Sequence, residues 1–255
     1  MAVPLAVEQP SVLICTGWMI FFLLRYALRA NRRDLRIGML ALLCLTGSIV
    51  TSALAREEGR WFSARYDLYV YRIDQLMHVN EPGVALSHYF FARLWGEWTM
   101  NFTYGMLAAA VMFLLILYEA RPQYREVVLA MLLNLAIAPL VYAAIPVSGP
   151  RFAFPNFPLL PAAVAPHLIY LHEAPNGIPS VHFSTAVIIW WYARRWWSGL
   201  LLASAFLLFT GIATLASGQH YVLDLILGAI YAGCMIAVAG ALKSRTGNFC
   251  QPPSG

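Results

Sequence analysis

An all-α, polytopic transmembrane helix bundle of six to seven spans is the fold this sequence predicts, and three observations predict it. Hydrophobic residues make up 60% of the 255 positions and charged residues 11%, against roughly 45–50% and about 25% in a soluble domain. A water-facing surface would lack the charge to cover it. The apolar residues also fall in blocks near the ~20 residues that a helix needs to cross a ~30 Å hydrocarbon layer. Finally, the arginines collect beside alternate blocks, the pattern that the positive-inside rule gives a multi-pass chain.

Seven apolar segments follow in order: 11–28, 37–55, 99–118, 127–145, 180–193, 199–216 and 221–242. The first has no basic residue ahead of it and no small-residue cleavage site, so it reads as a permanent helix rather than a signal peptide. The fifth is short, and Trp190, Trp191, Trp196 and Trp197 complete it at the interface. Arg29, Arg32, Arg33 and Arg36 follow the first segment, Arg121 and Arg125 the third, Arg194 and Arg195 the fifth, and Lys243 and Arg245 the seventh. Seven crossings put all four groups on one side, which predicts an outer (periplasmic or lumenal) N-terminus and a cytoplasmic C-terminus. The chain divides into 1–98, two helices with an outer loop, 99–242, the membrane core, and 243–255, a cytoplasmic tail, all in one folded unit.

Two outer loops are long. Residues 56–98 mix five arginines with six carboxylates. The aromatic run His88-Tyr89-Phe90-Phe91 with Trp95 and Trp98 suits a helix lying on the bilayer, as a lid over a lateral lipid entrance. Residues 146–179 hold eight of the 15 prolines, which excludes a regular helix and predicts a stiff, shaped segment. The cysteines, Cys15, Cys44, Cys234 and Cys250, show no metal spacing, and neither a disulfide nor a zinc framework is expected. The net charge of +5 sits beside apolar blocks, pointing to topology and lipid headgroups rather than nucleic acid.

Against this background a few polar residues stand out. His220 and Asp224 are four apart at the start of the last segment, which predicts one shared helical face. A carboxylate there can fix the imidazole tautomer and leave the other nitrogen free to attack. His182 follows Pro179-Ser180, a helix start with serine available as cap. Because segments five and six form a hairpin, His182 and His220 are expected at the same membrane level. Arg151, the only basic residue of the proline-rich loop, sits in Pro146-Val147-Ser148-Gly149-Pro150-Arg151, and its guanidinium suits phosphate oxygens. His78, His88, His167 and His172 have no partner at useful spacing and read as loop or interfacial residues. No Gly-rich phosphate loop, paired metal carboxylates or Cys/His metal cluster occurs.

Pro179-Ser180-Val181-His182 resembles the second motif of the type 2 phosphatidic acid phosphatase superfamily. Gly218-Gln219-His220-Tyr221-Val222-Leu223-Asp224, followed by Gly228, resembles the core of its third motif. The interval between the two histidines also suits that family, and the resemblance covers roughly residues 100–242. It implies a catalytic core like that family's, with His220 as the nucleophile that forms a phosphohistidine and Asp224 orienting it. His182 would protonate the leaving oxygen and later activate water or an acceptor alcohol. No metal and no cofactor are implied. The substrate would be a membrane lipid phosphate mono- or diester, with a lipid or polyol as acceptor where water is not.

The chain departs from the family pattern at the phosphate-binding cations. Arg121-Pro122 is present without a preceding lysine and falls on the cytoplasmic side, and Ala213-Thr214 stands where a Ser-Arg pair is expected. Instead, Gly149-Pro150-Arg151-Phe152-Ala153-Phe154-Pro155 resembles the branch that includes inositol-phosphorylceramide synthases and, more distantly, sphingomyelin synthases. In that reading Arg151 partly replaces the missing charges, with Gly149, Ser180, Gln219 and helix-start amides as further contacts. Two alternatives stay open: a plain lipid phosphate phosphatase, and a seven-helix transporter or receptor using the same histidines as a proton relay.

Overall fold

A computed structural model of the protein describes residues 9–79, 85–87, 89 and 94–248, and among these the apolar blocks are antiparallel helices. Helices α1 (Gln9–Arg29) and α2 (Arg32–Trp61) form a hairpin. Asn31 caps α2 by accepting from the Arg33 amide at 3.0 Å, and Arg25 reaches the buried Asp34 across the turn at 3.4 Å. After a short strand β1 (Ala64–Arg65) comes α3 (Asp67–Leu76), then α4 (Leu94–Gly105), α5 (Leu107–Tyr118) and α6 (Tyr124–Ala144). A single turn, α7 (Pro150–Ala153), and strand β2 (Ile169–Tyr170) lie in the proline-rich loop. Helices α8 (Val181–Ala193), α9 (Trp197–Ala216) and α10 (Val222–Asn248) complete the chain.

Among the described residues three helices, Tyr124–Ala144, Trp197–Ala216 and Val222–Ser244, are long and apolar enough to cross a membrane, and the shorter apolar helices Leu107–Tyr118 and Val181–Ala193 accompany them. The protein is thus an integral membrane protein. Outward-facing Leu140 and Leu202 are each 71% exposed, which water would penalise and a bilayer does not. Helices α5, α6, α8 and α10 enclose a core of Leu114, Leu115, Val127, Met131, Ile188 and Ile189. Apolar burial gives helices little reason to associate inside lipid, so polar contacts and close packing matter more. Asn134 of α6 supplies such contacts. It donates to Thr185 Oγ1 at 2.9 Å, accepts from Ser184 Oγ at 2.7 Å, and its carbonyl accepts from Tyr231 of α10 at 2.8 Å.

Three expectations are modified. The third apolar segment is two helices broken at Met106, whose amide is shared between Phe102 O at 2.9 Å and Thr103 O at 3.3 Å. Gly105, a weak helix former, ends α4 there. The long loop expected from residue 56 to residue 98 is shorter, because α2 runs on to Trp61 and α4 begins at Leu94. The proline-rich loop does contain one helical turn, with Pro150 at its first position, where its missing N–H costs nothing. The run His88-Tyr89-Phe90-Phe91 lies largely outside the described residues, as do residues 1–8 and the tail end with Cys250. Cys15, Cys44 and Cys234 are free thiols.

The bundle has two chemically different ends. At one, Arg33 and Arg36 pair with Glu119 at 3.2 and 3.3 Å, and Arg121 lies over the Trp196 ring at 4.5 Å. Glu126 there accepts from Lys243 and from Tyr192. At the other end the two long loops join, β1 pairing antiparallel with β2 through Ala64↔Tyr170 and Arg65↔Ile169. Fully buried Arg65 stitches this join, donating to Asn176 Oδ1 and to the Gly59 and Ala174 carbonyls. Helix α3 packs there on α7 and on the start of α10.

Candidate active site

Three loop segments meet at that second end. The turn between α9 and α10 carries Gly218 at φ 66°, a left-handed conformation that glycine alone adopts freely. A side chain at 218 would also run into the Phe157 ring. The turn delivers His220 just before α10, with Asp224 in the helix's first turn. The pair does not share one helical face, as its spacing predicts, because the helix begins only at Val222. Asp224 reaches back instead: Oδ2 accepts from the Tyr221 amide at 2.9 Å and stands 3.4 Å from His220 Nδ1. At that distance the two groups stand in contact without a hydrogen bond between them. Asp224 is fully buried and His220 is 7% exposed.

The second segment is the start of α8. Ser180 caps the helix, its Oγ accepting from Phe183 N at 3.4 Å, and its own amide donates to the Asp224 carbonyl at 3.3 Å. A Cβ at Gly228 would stand 3.0 Å from the Ser180 carbonyl, so glycine there lets α10 approach the helix start. His182, half-buried on the first turn of α8, is close enough to His220 for their charges to interact.

The third segment is the loop entering α7. Gly149 has φ 119°, and a Cβ on it would overlap the Gln219 carbonyl. The Arg151 amide donates to Gly218 O at 2.9 Å, and Gly177 N donates to Val147 O at 2.5 Å. The structure therefore brings His182, His220, Asp224, Ser180, Gly149 and Gln219 together. Arg151 is anchored beside them by its backbone, with its side chain exposed. Arg121 does not join them, since it stands at the opposite end, and Thr214 bonds to its own helix. His78, His167 and His172 are exposed, and His88 lies outside the described residues. Among the described residues no group of three or more His, Cys, Asp or Glu side chains is arranged to hold a metal ion.

Sequence reasoning missed two carboxylates of α3 that hold this arrangement. Asp67 accepts from the Ser148 amide at 3.0 Å, the Gly149 amide at 2.7 Å and the Tyr221 hydroxyl at 3.1 Å. Asp74 accepts from Val222 N at 2.8 Å and Leu223 N at 3.0 Å, two free amides of the first turn of α10. The available signal was weak: two aspartates seven apart on one short helix, with no motif near them.

Burial pushes both carboxyls up to about 6, against the pull of the amides they accept from. An unfolded aspartate titrates near 3.9, so the folded chain binds extra protons between these values. These groups therefore add stability as pH falls through 6, and that contribution is lost as pH rises. The melting-temperature difference between wild type and Asp67→Asn is expected to move in wild type's favour from pH 7 to pH 5. A difference that stays flat or moves the other way would refute the elevated carboxyl.

The PAP2 superfamily model matches residues 68–238, about two thirds of the chain, beginning within α3 and including all three loop segments. No curated protein and no solved structure shows significant similarity to the chain. The family match covers both histidine motifs and their connecting loops, it supports a phosphatase- or phosphotransferase-type activity on lipid phosphates, and the protein belongs to the PAP2 superfamily.

Proposed function

We propose that the protein transfers the phosphoryl group, or a phosphorylated headgroup, of a membrane lipid ester through a phosphohistidine at the outer membrane face. The observation that carries this reading is the convergence of His182, His220 and Asp224 at one end of the bundle, opposite the arginine-rich end. In the first step His220 Nε2 attacks phosphorus while Asp224 holds Nδ1–H. The bond from phosphorus to the leaving oxygen breaks, and protonated His182 gives that oxygen its proton. In the second step neutral His182 takes a proton from water or an acceptor hydroxyl, whose oxygen attacks phosphorus and releases His220. Arg151 holds the non-bridging oxygens, with Ser180, Gln219 and the Gly149 loop beside it.

With α1, α2, the α4–α5 pair and the later helices counted as seven crossings, the distribution of arginines supports an outer site by the positive-inside rule. The Gly149–Pro155 segment, similar to inositol-phosphorylceramide synthases, favours an acceptor alcohol over water. The test is product analysis of the purified protein with phosphatidic acid and with a phosphoinositol lipid, each with and without added ceramide or diacylglycerol. A new acceptor-dependent phospholipid is expected. Free phosphate or free headgroup as the sole product under every condition would leave a phosphatase, and no turnover of any lipid would remove the enzymatic reading.

A further inference from the structure

Asp67 and Asp74 bond to different parts of the site. Asp67 grips the loop that carries Arg151, through the Ser148 and Gly149 amides, and ties it to the residue after His220 through the Tyr221 hydroxyl. Tyr221 is thereby held at both ends, its phenol by Asp67 and its amide by Asp224. Asp74 takes no part in that link. It occupies the amide end of α10, the helix from which Asp224 faces His220.

Neutral acceptors would satisfy a loop and a helix start structurally, as serine or asparagine does at most helix caps. Here two carboxyl groups sit buried, and burial first, then the nearby Asp224 carboxyl, work against their charged forms. That is electrostatically unfavourable, and it gives no advantage to a scaffold whose only task is to stand. Charge-assisted hydrogen bonds, however, are shorter and about twice as strong as neutral ones. They hold a phosphate cation and a nucleophile to the tolerance that transfer in line at phosphorus demands.

We propose that Asp67 and Asp74 are positioning residues with separate tasks: Asp67 sets the Arg151 loop against the His220 turn, and Asp74 sets the α10 start that holds Asp224 behind His220. The inference rests on the site reading under Proposed function. Misplacing the Arg151 loop weakens phosphate binding, while misplacing the α10 start weakens the attack.

The experiment measures kcat and KM of the full chain on dioctanoyl phosphatidic acid, and inorganic phosphate affinity by thermal shift, for Asp67→Asn, Asp74→Asn and Tyr221→Phe. Asp67→Asn is expected to raise KM and weaken phosphate binding about ten-fold with a smaller change in kcat. Asp74→Asn is expected to lower kcat about ten-fold and leave phosphate affinity within about two-fold. Tyr221→Phe keeps the loop amides on Asp67 and should follow Asp67→Asn in a milder form. It carries the Asp67 arm should Asp67→Asn fail to fold. Variants that change only melting temperature, or that change kcat and phosphate affinity in parallel, overturn the division of tasks. The phosphate arm needs no turnover, so it reads the loop placement separately; a His220→Ala variant that still turned over substrate would instead bring down the underlying site reading.

Discussion

Replacing His220 with alanine is expected to reduce lipid phosphate turnover by on the order of 10⁴-fold or more, the scale seen when a covalent nucleophile is removed. The loss should be catalytic rather than structural. His220 lies in the turn before α10, outside the helical hydrogen-bond ladder, and Gly218, Phe157 and the Arg151 amide hold the turn's backbone. The folded variant should therefore keep its melting temperature within a few degrees. Rapid-quench experiments with phosphorus-labelled substrate add a direct readout. Wild type should show an acid-labile, base-stable phosphoprotein that the variant lacks. Retained turnover, or a phosphoprotein undiminished in the variant, would remove His220 as the nucleophile.

Asp224→Asn is expected to cost nearly as much, about 10³–10⁴-fold in kcat, the range found when an orienting carboxylate becomes an amide. Asparagine has the same shape, and its amide oxygen can still accept from the Tyr221 N–H. Its NH₂ group or its single oxygen must then face His220 Nδ1, and neither supports the charge that develops on the ring. The backbone carbonyl of Asp224 continues to accept from Ser180 N, so the junction between α8 and α10 survives. Substrate KM should change little. A variant with wild-type kcat would show that Asp224 serves the fold alone, whereas the combination of collapsed kcat and unchanged melting temperature is what the geometry supports.

The membrane character, the order of the apolar helices and the two histidine motifs were legible in the sequence, because each is written in neighbouring residues. Hydropathy accumulates along a helix, and a motif such as Pro179-Ser180-Val181-His182 folds into its own cap. Even the joint location of His182 and His220 followed from counting a hairpin. The hydrogen bonds that shape the site were not legible. Asp67 lies 82 residues from Gly149 and 154 from Tyr221, and Asp74 lies 148 from Val222. No periodicity or spacing connects such positions. The loop that sequence reading left without a role beyond a lid is the one that supplies both carboxylates.

Local errors had local causes. His220 and Asp224 look like a helical pair at a spacing of four, but the positive φ of Gly218 and the capping of α10 put the histidine ahead of the helix. The third apolar segment reads as one span, and its break at Met106 leaves no mark in hydropathy, since both halves are apolar. The sequence by itself determined the membrane character and singled out the polar side chains that stand in apolar surroundings, since both are properties of single residues and their neighbours. Only the tertiary structure decided what holds those side chains in register. Register comes from directional hydrogen bonds between distant segments, and their partners are chosen by the folded backbone.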